Sequence, residues 1–446
     1  MADTGFSHSS DELREIATDV LRLAREKGAT ACETDVSEGY GHTTSVRCDE
    51  VDTIEYNRDK GLGITVYLGQ QRGHASTSDF SPKALASTVD AALSIARFTS
   101  PDPAAGLPEI ELLATEFPDL DLYHPWALSV EDAIATARAC EQAATGVSDQ
   151  ITNSEGASVS TQQAHFISAN SLGFMGGFAS SRHGISCAVI AGRGDAMQSE
   201  YWHDSRRDVA DMMSPEAIGR LAGERALHRL GARQVATCNV PVLFEAPVAV
   251  TLLGNFVHAA SGGALYRQTS FLTDSLGSAV FSPRISIRER PHLRKAFGAS
   301  AFDAEGVATH ERDVVRDGVL HGYFLSSYSA RKLGMRTTGN AGGSHNLTVV
   351  AETQPFDQLV RDMGRGLIVT ALLGQGVNYV NGDYSRGAAG YWVENGEIQH
   401  AVEEVTIAGN LRDMFLGIQG VGDDALARSA KQCGSLLLER MTVAGS

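Results

Sequence analysis

Hydrophobic positions along this chain fall first at helical spacing, and then for most of its length in alternation. Leu13, Ile16, Ala17, Val20 and Ala24 share one side of a predicted helix, whose start at Ser9 and Glu12 has the form of a capping box and whose end is marked by Gly28. From Cys32 to about Ser78, runs such as TTSVRC, VDTIEY and GITVYLG alternate between charged or glycine-containing turns, as in a β-meander. Ser81-Pro82 opens a second helix with Leu85, Val89, Ala92, Leu93 and Ala96 on one side. Thr99 to Leu113 carries three of the twelve prolines and no helical period, so it reads as an extended crossover. A third helix is predicted from Ser129 to about Ala144, alternating runs from Ile151 to Tyr201, and a fourth helix from Ser214-Pro215-Glu216 to about Leu230.

A domain boundary is placed near Ala232, dividing 1–231 from 232–446. Beyond it strand-like runs dominate: VPVLFE, VVRDGVLHGYFLSSY, LIVTALLG, GVNYVNG, AAGYWVENGEIQHAVEEVTIAG and SLLLERMTVAG. Asp317-Gly318 and Asn395-Gly396 sit where hairpin turns need positive φ. Two helices interrupt this half, Pro247 to about Ser261 and Phe356 to about Arg365. The predicted class is α+β: an N-terminal domain of helices packed on an antiparallel sheet, then a β-rich sandwich or barrel-like domain with few helices.

Composition narrows the function. With 43% hydrophobic and 20% charged residues over 446 positions, the chain has the balance of a folded globular protein. A net charge of −17 without a basic cluster opposes direct nucleic-acid binding. No run has the length and apolarity of a membrane span, and the N-terminus lacks a basic-then-apolar leader, so a cytoplasmic location is expected. Six scattered cysteines without a CxxC pair read as reduced thiols.

Candidate chemistry is sparse. A metallopeptidase helix sets two His on one face with a Glu beside the first. His310-Glu311 has no second His four or five residues on, and reads as part of an exposed strand; His258, on the Pro247 helix, has no partner at Leu253 or Gly263 and reads as packed or hydrogen-bonded. Cys433, in KQCGSLLLER, reads as a small buried residue. No GxSxG elbow, Walker A loop or GxGxxG after a strand is present. Two runs are richer in hydrogen-bonding side chains: TTGNAGGSHNL, with Asn340, Ser344, His345 and Asn346, and NGDYSRGAAGYW, with Asp383, Tyr384, Ser385 and Arg386 just before a strand. Each reads equally as a binding loop or as a glycine-rich turn held by its own side chains.

The segments SGGALYRQTSFLTDSLG, SYSARKLGMRTTGNAGGSHN, GQGVNYVNGDYSRGAAGYWVENGEI and EEVTIAGNLRDMF resemble the signature segments of the TldD/PmbA superfamily (peptidase family U62-like), in its PmbA or TldE branch, once described as a modulator of DNA gyrase. The likeness covers most of residues 240 to 446 and is weaker before them. It implies an N-terminal α/β domain, a β-rich C-terminal domain and assembly into dimers. It would place H-E-x-x-x-H on the helix entering the C-terminal domain in the TldD branch; here that stretch is GNFVHAASGG, without the Glu or the His pair. The resemblance therefore implies a subunit with no catalytic residue or cofactor of its own, a zinc-bearing TldD-like partner in a heterodimer, a homodimer in isolation as an open option, and short unfolded peptides as substrates, peptide-antibiotic precursors included. The Asn340–Asn346 and Asp383–Arg386 runs, with Tyr266 and Arg267, are expected to line the peptide channel or the partner interface. Two other readings stand beside this one: a stand-alone homodimeric peptide-binding or gyrase-regulating protein, and an independent peptidase using His258, His345 or Cys433.

Overall fold

The computed structural model describes residues 5–445. Ser9 caps the first helix, α1 (Ser10–Glu26), by accepting from Glu12 N, while the Glu12 carboxylate accepts from Ser9 N, so the expected capping box is formed. The N-terminal strands are β1 (Ala31–Arg47), β2 (Glu50–Leu68), β3 (Gln71–Thr77), β4 (Ile151–Asn170), the short β5 (Met175–Gly176), β6 (Ala179–Ala191) and β7 (Gln198–Arg206). They make one antiparallel sheet in the order β3-β2-β1-β4-β6-β7, with β5 paired to β4. Three more helices pack on it, α2 (Pro82–Phe98), α3 (Val130–Thr145) and α4 (Pro215–His228).

Alternation decides which face the helices cover. At one end Val36, Leu62, Ile64 and Ile167 lie under α1 and α2; at the other Val46, Val159, Ile185 and Val189 lie under α3 and α4. Between the two apolar ends the same face carries a buried polar strip of Glu38, His42, Thr161, Gln163, His165 and His183. Phe6 stacks on His165 at 4.0 Å and Trp126 meets His183 edge-on at 5.6 Å. The opposite face is small and polar, with Ser158, Ser160, Gly184 and Ser186. On β2, Glu50 to Gly61 leave their outer edge unpaired among the described residues, and a bulge near Asp52 and a dense alternation of charges guard that edge against aggregation.

The C-terminal strands in chain order are β8 (Cys238–Phe244), β9 (Ser286–Glu289), β10 (Arg312–Arg316), β11 (Val319–Leu320), β12 (Leu347–Val350), β13 (Thr353–Gln354), β14 (Gly366–Leu373), β15 (Asp383–Glu394), β16 (Glu397–Asn410), β17 (Ile418–Gly422), β18 (Lys431–Gln432) and β19 (Leu436–Ala444). The helices are α5 (Ala246–Ala259), α6 (Gly262–Tyr266), α7 (Ser327–Lys332), α8 (Phe356–Met363) and α9 (Leu411–Leu416). β8, β14, β15, β16 and β19 close into a five-stranded barrel, because β19 pairs with both β16 and β8. A second sheet runs β11-β10-β9-β12-β18. Strand alternation sorts the core: Val242 and Phe244 face the cluster that holds Leu252 and Phe256 of α5, whereas Leu243 faces α8. Both dipeptide turns are as expected, Asp317 and Gly318 at φ 48° and 80°, Asn395 and Gly396 at 54° and 74°.

The α+β class with a β-rich, partly barrel-shaped second half agrees with the sequence reading. Four local expectations do not. The short helices α6, α7 and α9 interrupt the second half in addition to the two predicted, and each is only about a turn and a half long, too short to show a hydrophobic period. The run ending LHGYFLSSY leaves strand after Leu320 and enters α7, which Ser326 caps with a capping box to Ser329. GVNYVNG is not a strand; it folds back on β15, with Ser385 N donating to Gly376 O at 2.7 Å and Asn378 N to Asp383 O at 2.8 Å. His310 and Glu311 are exposed but precede β10 rather than lying on it.

Ionic contacts lock the halves together. Arg225 of α4 makes a two-pronged contact with Glu245 at 2.8 and 3.0 Å, and Arg331 of α7 grips the carbonyls of Ala104, Gly106 and Leu107 in the proline-rich crossover. Burial, with Glu305 nearby, pushes the Glu33 carboxyl up to about 7, against the lowering effect of the Tyr67 hydroxyl 3.1 Å away. A carboxyl raised in the folded state contributes its stability at low pH and loses it as pH rises towards 7. Glu33→Gln, which keeps the Tyr67 contact, should flatten the fall in stability between about pH 4 and pH 7, as read from urea unfolding at a series of pH values.

Candidate functional site

The residues singled out in the sequence occupy three settings, of which the second and third adjoin where Ser261, the cap of α6, bonds the His258 carbonyl. The first is the Thr337–Leu347 loop, which folds around the buried Glu289. Asn340 donates to Glu289 Oε1 at 2.8 Å and to Gly343 O at 3.1 Å, while its carbonyl oxygen accepts from Arg312 at 2.9 Å and Thr338 at 2.8 Å. His345 N donates to Glu289 Oε1 at 2.7 Å, and its ring Nε2 lies 2.9 Å from Gly339 O. Asn346 bonds Gly298 N and Arg290 O. Asn340, His345 and Asn346 are thus consumed as scaffold; Ser344, half-buried, makes no hydrogen bond among the described residues.

The second setting is α6. Arg267 reaches back to Tyr266, donating to its hydroxyl at 2.9 Å with the guanidinium over the ring, and Tyr266 meets Tyr328 edge-on at 5.9 Å. Tyr328 and Lys332 both bond Asp102, whose carboxyl Lys332 and the Ala104 amide hold down at about 2. Tyr266 and Arg267 therefore sit beside the junction between the two halves.

The third setting joins β15 to α5. Asp383 to Arg386 are the first residues of β15, a correction to their reading as a loop before a strand; their glycine and polar content hid a strand whose outer edge the Gly376–Asn378 segment covers. Asp383 and Ser385 face solvent, Asp383 accepting from Asn381 at 2.6 Å and Asn410 at 3.2 Å. Tyr384 and Arg386 point the other way. Tyr384 is only 1% exposed, its hydroxyl has no partner but the neighbouring Arg386, and burial pushes its phenol up to about 12 against the opposing pull of that guanidinium. Arg386 has a buried Nε without an acceptor and belongs to no ion pair among the described residues.

α5 faces this pair. Its first amide, Ala246 N, donates to Ser435 Oγ at 3.0 Å, which Asp424 holds at 2.6 Å. Leu252, Leu253, Phe256 and Ala259 are buried, and among them sits Asn255, 9% exposed. Asn255 Oδ1 accepts from Tyr379 at 2.9 Å, and its Nδ2 has no partner. His258 is exposed, with its ring packed on Tyr379 at 3.9 Å and tilted by 33°, in keeping with its reading as a packed residue. Sequence reading missed Asn255 and Tyr379; the usable signal was one amide inside an otherwise apolar helix face. A further concavity of about 410 Å³ lies on the small-residue face of the N-terminal sheet, lined by Ser160, Gln162, Arg182, Ser186, Tyr201 and His203.

Three family models cover the chain in succession: the PmbA/TldA metallopeptidase domain 1 at residues 32–96, the central domain at 123–230 and the C-terminal domain at 237–445. The chain belongs to the PmbA/TldD metallopeptidase family. It is 47% identical over 433 residues to metalloprotease PmbA of Escherichia coli O157:H7, spanning 97% of this chain and 96% of that one. A metalloprotease PmbA homolog of Haemophilus influenzae is 44% identical over 436 residues, 98% of this chain and 96% of its own. The fold matches a crystal structure of a suggested DNA gyrase modulator from Bacteroides thetaiotaomicron at a TM-score of 0.92 and 27% identity, over 98% of this chain and 100% of that one. TldE from Thermococcus kodakarensis shares the fold at a TM-score of 0.85 with 19% identity, over 96% of this chain and 100% of that one.

The family name implies a metal, and the residues present do not fit one. A catalytic zinc takes three protein ligands, commonly His with a carboxylate or thiolate. No three His, Cys, Asp or Glu converge as a ligand set among the described residues. α5 offers an amide and a packed imidazole, and Cys433 is 1% exposed with its thiol pushed up by burial and turned to the Gly434 carbonyl.

If Asn340 is scaffold, Asn340→Ala should cost about 2 kcal/mol in urea unfolding, because Glu289 and Arg312 each lose a buried partner, while Ser344→Ala should change stability by less than about 0.5 kcal/mol.

Proposed function

We propose that this chain is the PmbA/TldE-type subunit of a heteromeric cytoplasmic metallopeptidase: it binds and orients unfolded peptide, and a TldD-like subunit supplies zinc and the hydrolytic step. The observation that carries this reading is α5, the helix in which the family's metal-bearing branch is expected to hold its ligands and which here carries Asn255 and a packed His258 instead. A helix so built cannot activate water, yet it borders a group of buried donors suited to a peptide. Residues 1–231 and 232–446 act as two domains in this proposal, with Tyr266, Arg267 and the small-residue sheet face near their junction shaping the channel. Ser344, Asp383 and Ser385, the predicted residues left accessible, are assigned to the channel or the partner interface. Among the described residues no helix is long and apolar enough to cross a membrane.

The edge of β15 bears on how peptide is held. The Gly376–Asn378 segment covers the edge that the start of β15 would otherwise leave free, so strand addition there is blocked and recognition at that place falls to side chains.

The test is peptidase activity on an unfolded peptide, with metal analysis, for this chain alone and for the chain mixed with a TldD-like subunit. Activity and stoichiometric zinc only in the mixture are expected; zinc-dependent activity in the chain alone would sink the proposal. Copurification of the two subunits separates it from a stand-alone homodimeric or gyrase-regulating role.

A further inference from the structure

Each of the polar groups left over between α5 and β15 has a proton to donate. Asn255 spends its carbonyl oxygen on Tyr379, so its buried amide nitrogen has nothing to give to. The Tyr384 hydroxyl is buried with only the Arg386 guanidinium beside it and no acceptor for its own proton, and Arg386 Nε is buried without an acceptor. Tyr384 and Arg386 are two apart on β15 and share a face; the segment that pairs with this stretch, Val377 opposite Tyr384, continues into Tyr379, which bonds Asn255 and packs on His258, so the group gathers around the end of α5 where His258 is exposed. Native proteins seldom leave buried donors unpaired, and such groups point to a missing partner.

The chemistry of that partner follows from the inventory. An amide N–H and a guanidinium can only donate, and a phenol whose oxygen lies against the guanidinium still has its proton to give, so an acceptor oxygen answers all three, and the guanidinium calls for negative charge. Among the described residues no carboxylate pairs with Arg386: the nearest along the strand, Asp383, faces the opposite side and is already held by Asn381 and Asn410. Water could satisfy the neutral donors, but it leaves the cation without a counter-charge. Guanidinium and carboxylate match as planar, two-pronged partners, a fit that lysine does not reproduce.

We propose that Arg386, with Asn255 and Tyr384, binds a carboxylate of the peptide substrate and so sets a preference of this subunit for acidic or free-ended peptides. The inference deepens the peptide-binding reading and rests on it. Two sources share the chemistry, the α-carboxylate at a peptide C-terminus and the side chain of Asp or Glu.

The experiment measures binding of a labelled, short unstructured peptide to the isolated full chain by fluorescence anisotropy. The peptide carries one Glu and a free C-terminus, and is compared with its amidated form, its Glu→Gln form and the doubly neutral form. Wild type should bind the doubly neutral peptide roughly tenfold or more weakly than the parent, and Arg386→Ala and Arg386→Lys should erase that difference while leaving thermal unfolding near wild type. Loss on amidation alone assigns the C-terminus; loss on Glu→Gln alone assigns the side chain. KM of the reconstituted pair for the same peptides is the second readout. Equal binding of all four peptides by wild type, or an unchanged preference in Arg386→Ala, overturns the carboxylate assignment and leaves peptide binding standing. Binding of none by the chain, with equal KM for all four in the pair, overturns both.

Discussion

The second half of this protein is organised by a pairing between its first and last strands. Val242 and Leu243 of β8 lie opposite Leu438 and Leu437 of β19, and without that contact the barrel is an open sheet with two raw edges. The ends of a long segment must meet before the closure yields anything, so the pairing is among the least local contacts in the fold. It also sets α5. The helix leaves β8 directly, and its first amide is held by Ser435 at the threshold of β19, so the direction in which α5 presents Asn255 and His258 is fixed by the strands that close the barrel. The side-chain geometry at the far end of that helix is a consequence of closure.

The N-terminal half solves a different problem. Its sheet is too long to be covered by one pair of helices, so two pairs divide it, and the gap between them is filled by a polar strip containing His42, His165 and His183. Burial holds all three imidazoles below their ordinary pKa and hence neutral, consistent with Glu38 being the acidic member of the strip, itself lowered to about 2 by the Ser7 and His8 amides despite its burial. The covered face is therefore spoken for, and the small-residue face is the one left to meet other molecules.

Much of the architecture was legible in the sequence. The four long helices announced themselves by caps and by residues such as Leu13, Val20, Val89 and Leu93 at helical spacing, and the hairpins by Asp317-Gly318 and Asn395-Gly396. The barrel was not, because closure pairs residues from opposite ends of a domain, and local pattern carries no record of partners. The site was half legible. Polar runs drew attention to Asn340 and Arg386, but composition could not separate an asparagine whose hydrogen bonds all go to its own scaffold, Glu289 included, from an arginine whose Nε finds no acceptor. The decisive Asn255 is one amide in an apolar helix, and only its surroundings distinguish a buried donor with a partner from one without.

The small-residue face of the N-terminal sheet carries one more implication. Ser158, Ser160, Gly184 and Ser186 have few or no rotamers to lose, and the strands beneath them are fixed on both sides by neighbouring strands. A surface of that kind gives up almost no side-chain entropy when something is laid on it, so the ordering cost of contact falls on the incoming molecule. Between the longer side chains at its margins, Gln162, Arg182, Tyr201 and His203, it presents no knobs that demand matching holes. Such a surface tolerates many sequences, provided that the molecule arrives already extended.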